Sequence, residues 1–152
     1  MKKIQLTKEG FDNLQKELEG LKMKKRPVAV DRLQKARSMG DLKENGAYHA
    51  AREELSQLDG RIREVEYILH NAKVVTTCVS DLTVTLGKKI EVDINGLKKT
   101  ISIVGEYESD PMNGKISVVS PIGLALLNKK PGEKVSVITP KGPVPYTILS
   151  IT

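Results

Sequence analysis

Apolar residues in the first half of the chain recur at spacings of three and four, as on one face of a helix. The first run consists of Phe11, Leu14, Leu18 and Leu21. A second and less regular run consists of Val28, Val30, Leu33 and Ala36. Thr7 precedes the first run and suits a helix N-cap. Pro27 separates the runs, and because proline lacks one backbone donor we expect a kink there rather than an end.

A stricter heptad pattern follows and predicts one continuous helix from Glu44 onward. Its apolar positions are Tyr48, Ala51, Leu55, Leu58, Ile62, Val65, Leu69 and Ala72. Antiparallel folding would pair residues whose numbers add up to 83, which matches Leu14 with Leu69 and Val28 with Leu55. The pattern therefore predicts a helical hairpin with its tip at about residues 38–46 and arms of roughly 40 Å, at 1.5 Å per residue.

Alternation of apolar and polar residues replaces the heptads in the second half. Strand patterns cover residues 83–93, 99–104, 115–119, 135–138 and 145–151. Asn95-Gly96 is a strong hairpin-turn signal, and Pro121 opens a short helical segment over 122–127. The sequence therefore predicts an α+β protein. It has an N-terminal antiparallel coiled-coil hairpin over 1–75, a linker over 76–82, and a small, mostly antiparallel β/α domain over 83–152.

Composition narrows the classes of function. Cys78 is the only cysteine of the 152 residues, so the chain can form neither an internal disulfide nor a multi-cysteine zinc site. The sequence contains no nucleophile with a base at catalytic spacing and no glycine-rich phosphate loop, so it lacks the parts of an autonomous enzyme. No apolar run could cross a bilayer, and no signal peptide follows Met1. We expect a soluble, cytoplasmic protein with no membrane partner.

The net charge of +6 is concentrated in one segment. Seven basic residues and one acid lie between Lys22 and Arg37, so this segment carries +6 and the remainder of the chain is neutral. Two interpretations remain open: a solvated helix face, or a stripe that follows the phosphates of a nucleic acid toward the tip. The residues assigned to this candidate basic stripe are Lys22, Lys24, Lys25, Arg26, Arg37 and, on the second arm, Arg52.

Two carboxylates lie three residues apart at the predicted tip. Asp41 and Glu44 follow Gly40, which can turn the chain. Spacing alone favours a capping box, with Asp41 at the N-cap and Glu44 at the third helical position. The alternative is metal binding, but magnesium takes about six oxygen ligands. Two carboxylates would therefore need a partner to supply the rest of the site.

The tip sequence over residues 36–53, Ala-Arg-Ser-Met-Gly-Asp-Leu-Lys-Glu-Asn-Gly-Ala-Tyr-His-Ala-Ala-Arg-Glu, closely resembles that of the bacterial Gre transcript-cleavage factors, GreA and GreB. The similarity extends over the whole chain and includes Leu6-Thr7, the leucines of the first arm and Ser120-Pro121-Ile122. It implies that the second domain is FKBP-like. It also implies that Ser120, Pro121 and Ile122 contribute to docking at the rim of the secondary channel of RNA polymerase.

The resemblance further implies that the coiled coil enters this channel and brings Asp41 and Glu44 to the polymerase active centre. There they would help to hold a second Mg²⁺ and its attacking water. Gly40, Asn45 and Tyr48 would support the tip, and the basic stripe would contact the 3′ end of the nascent RNA. The protein would have no cofactor of its own, would be a monomer when free, and would stimulate RNA cleavage by the polymerase.

The sequence departs from the usual family pattern at two places. Gly46-Ala47 replaces Ala-Glu, which we expect to soften the start of the second helix by about 0.5–1 kcal/mol. Gly123-Leu124 replaces Ala-Arg, which bears on docking. The basic character favours a GreB-like capacity for longer RNA. Two alternatives stay open: a paralogue that binds and inhibits polymerase without cleavage, and a coiled-coil adaptor independent of polymerase.

Overall fold

The computed structural model describes residues 3–40, 43–77 and 82–152. The chain forms two compact units. Phe11–Asn71 is called the helical unit here, and Met1–Gly10 with Ala72–Thr152 is called the sheet unit. The predicted linker at 76–82 stays a prediction, because residues 78–81, including Cys78, lie outside the described ranges. In the described ranges, no helix is both long enough and apolar enough to span a membrane.

The helical unit is an antiparallel hairpin, as predicted. Its elements are α1 (Lys8–Gly20) from Phe11 onward, a π-helical turn (Leu21–Lys25), α2 (Arg26–Ser38) and α3 (Gly46–Asn71). Ion pairs cross between the arms, among them Lys22 with Glu66, Arg26 with Asp59, and Arg32 with Glu54. The number of the first partner rises as that of the second falls, so the arms run in opposite directions.

The irregularity expected at Pro27 is a π turn that immediately precedes it. The backbone N–H of Arg26 donates to the carbonyl of Leu21, five residues back, so this turn holds one residue more than an α-helical turn. Pro27 is the second residue of α2. The helix therefore continues through the proline, as expected from the sequence.

The extra residue in the π turn changes which side of the first arm is buried. Val28, predicted to face Leu55, is 51% exposed, whereas Ala29 is 1% exposed. The prediction for Val28 was wrong because eight residues, not seven, separate the buried Leu21 from the next buried position. From Ala29 the seven-residue spacing resumes, and Ala36 is buried as predicted.

The second arm follows the predicted face over most of its length. Ala51, Ile62 and Val65 are buried as predicted. Near the end of α3, however, Ile68 is buried and the predicted Leu69 is only half-buried. The last turn of α3 therefore buries a residue one position earlier than the strict repeat predicts.

The sheet unit contains two sheets. Strand β1 (Ile4–Leu6) pairs in parallel with β2 (Ala72–Val74). The second sheet has the order β5-β4-β3-β7-β6, and only β4 and β5 are parallel. Its strands are β3 (Lys89–Ile94), β4 (Leu97–Val104), β5 (Lys115–Ser117), β6 (Lys134–Thr139) and β7 (Gly142–Ile151). These elements confirm the predicted α+β class and its mostly antiparallel sheet.

One face of the five-stranded sheet carries the core of this unit. Helix α4 (Pro121–Leu126) contributes Leu126, which is fully buried with Ile90, Ile103 and Ile148. The β3–β4 turn is the predicted Asn95-Gly96 turn. Both residues have positive φ, 53° and 87°, which is the requirement of a tight hairpin turn with the favoured twist.

Glu108, in a short 3₁₀ turn (Glu106–Glu108), binds the start of α1. Its carboxylate accepts the backbone N–H groups of Thr7 and Gly105, both at 3.0 Å, and the Thr7 hydroxyl. Thr7 in turn caps α1 as predicted, since its Oγ1 accepts the N–H of Gly10 at 3.0 Å. A Cβ at Gly10 would lie 1.7 Å from Glu108 Oε1, so a larger residue there would displace this carboxylate.

Candidate functional site

The turn between α2 and α3 carries the predicted acidic pair. Asp41 and Leu42 lie outside the described residues, so the role of Asp41 stays a prediction. Glu44 is exposed in the turn ahead of α3, and its carboxylate forms no hydrogen bond or ion pair with the described part of the chain. Gly40 has a φ of 137°, a conformation that residues with a side chain rarely adopt.

Asn45, and not an acid, caps the second arm. Helix α3 begins at Gly46, and the N–H of Tyr48 donates to Asn45 Oδ1 at 3.2 Å. The capping box with Glu44 at the third helical position was wrong, because Glu44 precedes the helix by two residues. Asn45 has a second contact: its Nδ2 donates to the carbonyl of Ala36, in α2, at 2.6 Å.

Tyr48 lies one turn into the second arm and is half-buried. Its ring meets that of His49 edge to face, with the centroids 5.7 Å apart and the planes at 66°. This placement agrees with packing beside the tip. The ring nitrogen Nε2 of the exposed His49 lies 3.4 Å from the carbonyl oxygen of Lys43.

The basic residues of the first arm fall into two groups. Lys22, Arg26 and Arg32 pair with acids of α3, and Lys35 pairs with Asp31 in its own helix. The exposed residues without an ion pair to any described residue are Lys24, Lys25, Arg37 and Arg52. The stripe predicted from sequence is therefore interrupted, because part of its charge is neutralised between the arms. Its open positions are the π turn and the tip-proximal ends of the arms.

Arg61 makes the most extensive contact between the arms. Its Nε and Nη2 donate to the two carboxylate oxygens of Glu17 at 2.7 and 3.0 Å, and its Nη1 donates to Glu64 at 2.8 Å. The hydrogen bonds to Glu17 and Glu64 raise the pKa of Arg61 above its ordinary value. Similarly, the hydrogen bond to Asp59 raises the pKa of Arg26. Both guanidinium groups remain charged in any working buffer.

The predicted docking residues form the first turn of α4. Ser120 caps this helix by accepting the N–H of Gly123 at 3.0 Å, and its hydroxyl donates to the carbonyl of Ser117 at 2.7 Å. Pro121 is exposed and Ile122 is half-buried. A Cβ at Gly123 would lie 2.0 Å from the Ser117 carbonyl oxygen, so α4 approaches this backbone too closely for a side chain at 123.

Comparison with known proteins identifies the family. A family model described as "Transcription elongation factor, N-terminal" matches residues 4–74, and one described as "Transcription elongation factor, GreA/GreB, C-term" matches residues 79–152. This chain belongs to the GreA/GreB family of transcription elongation factors.

Relatives named transcription elongation factor GreA match almost end to end. The protein of Bacillus anthracis is 43% identical over 149 residues, which is 96% of this chain and 94% of that protein. The protein of Acidiphilium cryptum is 43% identical over 154 residues, covering 99% and 98%. These relatives carry the name GreA, so they give no support to the GreB-like capacity expected from charge.

Solved structures show a weaker likeness. The structure titled as the GreA factor homolog 1 (Gfh1) protein of Thermus thermophilus is 28% identical, covers 99% of both chains and has a TM-score of 0.47. A second structure, titled as the transcription factor Gfh1, is also 28% identical, covers 99% of this chain and 97% of that one, and has a TM-score of 0.49.

The Gre resemblance implies a magnesium ion at the tip. The described residues fit a site in which another molecule supplies the remaining ligands of the ion. Across 3–40, 43–77 and 82–152, no three His, Cys, Asp or Glu side chains are close enough to hold a metal ion together. Glu44 nevertheless presents an exposed carboxylate, the kind of oxygen ligand that Mg²⁺ prefers. Such a group suits a ligand offered to a site in another molecule.

Three groups of functional interest were missed from sequence. The second contact of Asn45, the acids that pair with Lys22 and Arg26 of the basic stripe, and the contact of Glu108 with Thr7 all join residues distant in the chain. For the ion pairs the sequence offered only a general signal, since charges flanking an apolar interface commonly pair between helices. The heptad alignment itself placed Arg32 opposite Ala51, whereas Arg32 pairs with Glu54.

Proposed function

We propose that this Gre factor inserts its helical hairpin into the secondary channel of RNA polymerase and stimulates the polymerase's own cleavage of backtracked nascent RNA. The observation that carries the proposal is the exposed carboxylate of Glu44, without a partner in the described chain, at the turn between two long antiparallel helices. The factor would act in the cytoplasm, on a reaction whose catalytic centre belongs to the polymerase.

The arms would serve as a spacer and the turn as the working end. Ion pairs of Arg61, Arg26 and Arg32 with the opposite arm hold the two helices in register. The turn can then reach into a narrow channel without the arms separating. Glu44, together with Asp41, would supply carboxylate oxygens to magnesium in the polymerase active centre.

When bound there, magnesium would supply a water of lowered pKa and electrostatic stabilisation of the entering and leaving oxygens of phosphodiester hydrolysis. The residues of this chain would bind and orient. Asp41 and Glu44 would hold the ion through their carboxylates. The cations that have no ion pair to the described residues, Lys24, Lys25, Arg37 and Arg52, would contact the phosphates of the extruded RNA. Removal of the extruded 3′ end would let elongation resume. Docking would use the α4 turn around Ser120, Pro121 and Ile122.

A cleavage assay on a defined backtracked complex tests the proposal. Wild type, Asp41→Asn and Glu44→Gln would be compared with Glu53→Gln, which removes another exposed carboxylate, in α3 and away from the turn. We expect wild type and Glu53→Gln to shorten the RNA equally. Each tip variant should be slower by at least about 10–100-fold, the loss typical of disturbed metal ligation.

Failure would point to one of the two alternatives. Binding to polymerase with slowed synthesis, and no RNA shortening by wild type, would identify an inhibitory paralogue. A wild-type protein that neither binds polymerase nor changes transcription would identify an adaptor with other partners.

A further inference from the structure

We propose that Asn45 is a positioning residue that fastens the two arms together directly behind the acidic turn and thereby fixes the backbone that carries Glu44. The effect of Asn45 on RNA cleavage rests on the proposed function, whereas the contact between the arms is present in the free protein. Its basis is one side chain that bonds to both arms: Nδ2 to the carbonyl of Ala36 at 2.6 Å, and Oδ1 to the N–H of Tyr48 at 3.2 Å.

The chemistry of the two partners fixes the orientation of the amide. The Ala36 carbonyl can only accept a hydrogen bond, and the Tyr48 N–H can only donate one. The contact therefore needs a side chain with one donor and one acceptor about 2 Å apart, which an asparagine amide supplies. Aspartate lacks the donor, and serine is too short to bond to both arms.

The backbone of Asn45 is held as well. Its carbonyl accepts the N–H of His49 at 3.2 Å, and the Ala36 carbonyl also accepts the N–H of Met39 at 3.2 Å. Three atoms of Asn45 are thus fixed, on the boundary between the packed arms and the exposed turn. Consecutive Cα atoms are separated by a fixed distance of about 3.8 Å, so fixing Asn45 limits where Glu44 can lie.

The two possible roles of Asn45, an ordinary helix cap and a fastening between the arms, predict different cleavage rates for Asn45→Asp. A cap needs only the acceptor, and aspartate at a helix N-terminus is as good a cap as asparagine. A fastening fails in this variant, because a carboxylate oxygen would face the Ala36 carbonyl oxygen. Asn45→Ser makes the same distinction, since serine also caps but does not reach Ala36.

The test uses the full chain with polymerase in a backtracked complex. The maximal cleavage rate and the half-saturating factor concentration would be measured for wild type, Asn45→Asp, Asn45→Ser and Ser38→Ala. Ser38→Ala is the control, because the Ser38 hydroxyl bonds only locally, to the Lys35 carbonyl at 2.7 Å. We expect both Asn45 variants to lose roughly 10–100-fold in maximal rate, the scale of a misplacement of about 1 Å. The half-saturating concentration should stay unchanged.

A second readout needs no polymerase. Hydrogen exchange of the Asn45 side-chain amide should be slow in the free wild-type protein, and the Tyr48 backbone amide should remain protected in Asn45→Asp. If Asn45→Asp cleaves at the wild-type rate, or if the Asn45 amide exchanges as fast as an exposed one, the inference is wrong. Inactive wild type with a slowly exchanging Asn45 amide would instead refute the proposed function and leave a purely structural fastening.

Discussion

The carboxylate of Glu108 accepts a hydrogen bond from the backbone N–H of Thr7 at 3.0 Å, although 101 residues separate the two in the chain. Glu108→Ala would leave the Thr7 N–H, the Thr7 hydroxyl and the Gly105 N–H without this acceptor. Because hydrogen bonds to a charged group contribute about 1.5–3 kcal/mol and the site is only partly buried, we expect a loss of about 2 kcal/mol. Urea unfolding measures it.

Glu106→Ala is the matched control for that experiment. Glu106 belongs to the same short turn and is exposed, with no hydrogen bond or ion pair to the described residues. Its removal should change the unfolding free energy by less than about 0.5 kcal/mol, as is usual for surface substitutions. Equal losses for the two variants would show that the Glu108 contact contributes nothing specific.

Two helical glycines should respond to alanine with opposite signs. Gly60 lies inside α3 with open space where a Cβ would be, so Gly60→Ala should stabilise the protein by about 0.5–1 kcal/mol. Gly123→Ala would force a Cβ to within 2.0 Å of the Ser117 carbonyl oxygen and should destabilise it by about 1–3 kcal/mol. Thermal unfolding of both variants, side by side, checks the sign; a stabilising Gly123→Ala would contradict the close approach.

The Arg61–Glu17 pair should contribute modestly and in a salt-dependent way. Both side chains are about two-fifths exposed, at 41% and 37%, so Glu17→Gln should cost about 0.2–1 kcal/mol at low salt and less at high salt. The pKa of Arg61 is raised in the folded state, so its stabilising effect is complete below the unfolded pKa and is lost only above it.

The effect of Glu17→Gln should accordingly be the same across buffers of about pH 6 to 9, where the Arg61 guanidinium keeps its charge. Denaturant midpoints for wild type and Glu17→Gln, at two salt concentrations and two pH values, check this. A difference that grows with salt would contradict an electrostatic origin.

Deleting one residue from the π turn should destabilise the protein, because the extra residue accommodates Pro27. Deletion of Lys24, which is exposed, would restore an ordinary α-helical turn and place the Pro27 ring against the carbonyl four residues back. We expect a loss of about 3 kcal/mol. Pro27→Ala in the same deletion background should recover most of it. Circular dichroism during thermal unfolding measures both, and the lack of any recovery would contradict this account.

The two groups of basic residues should differ in RNA-dependent activity. Lys24→Gln with Lys25→Gln removes cations that have no ion pair to the described residues, whereas Lys22→Gln removes one already neutralised by Glu66. The logarithm of the cleavage rate would be plotted against the logarithm of salt concentration. The double variant should reduce the magnitude of that slope by about 0.7 per lost phosphate contact, and Lys22→Gln should reduce it by much less. Equal slopes for all three proteins would argue against RNA contact at the π turn.

The comparison of sequence and structure separates local from long-range information. The Asn95-Gly96 turn, the Thr7 cap and the antiparallel arms depend on neighbouring residues or on a regular repeat, and all were predicted. The burial of Ala29 in place of Val28 was not predicted. One extra residue in the π turn changes which face of the helix is buried without changing the composition.

The acidic turn shows the same limit. An Asp-x-x-Glu spacing resembles a capping box, but the cap is Asn45, which the spacing rule does not select because its decisive bond reaches Ala36 in the other arm. Contacts of this kind depend on where the hairpin closes, and closure is set by packing along both arms.

The parallel pairing of β1 with β2 limits the order in which parts of the chain can fold during synthesis. Ile4–Leu6 leaves the ribosome first, yet its partner strand, Ala72–Val74, follows only after the whole helical unit. The helices can form from local contacts while β1 waits. The Glu108 contact comes later still. Strand β1 is therefore made before the helical unit but reaches its final place only after that unit has been made.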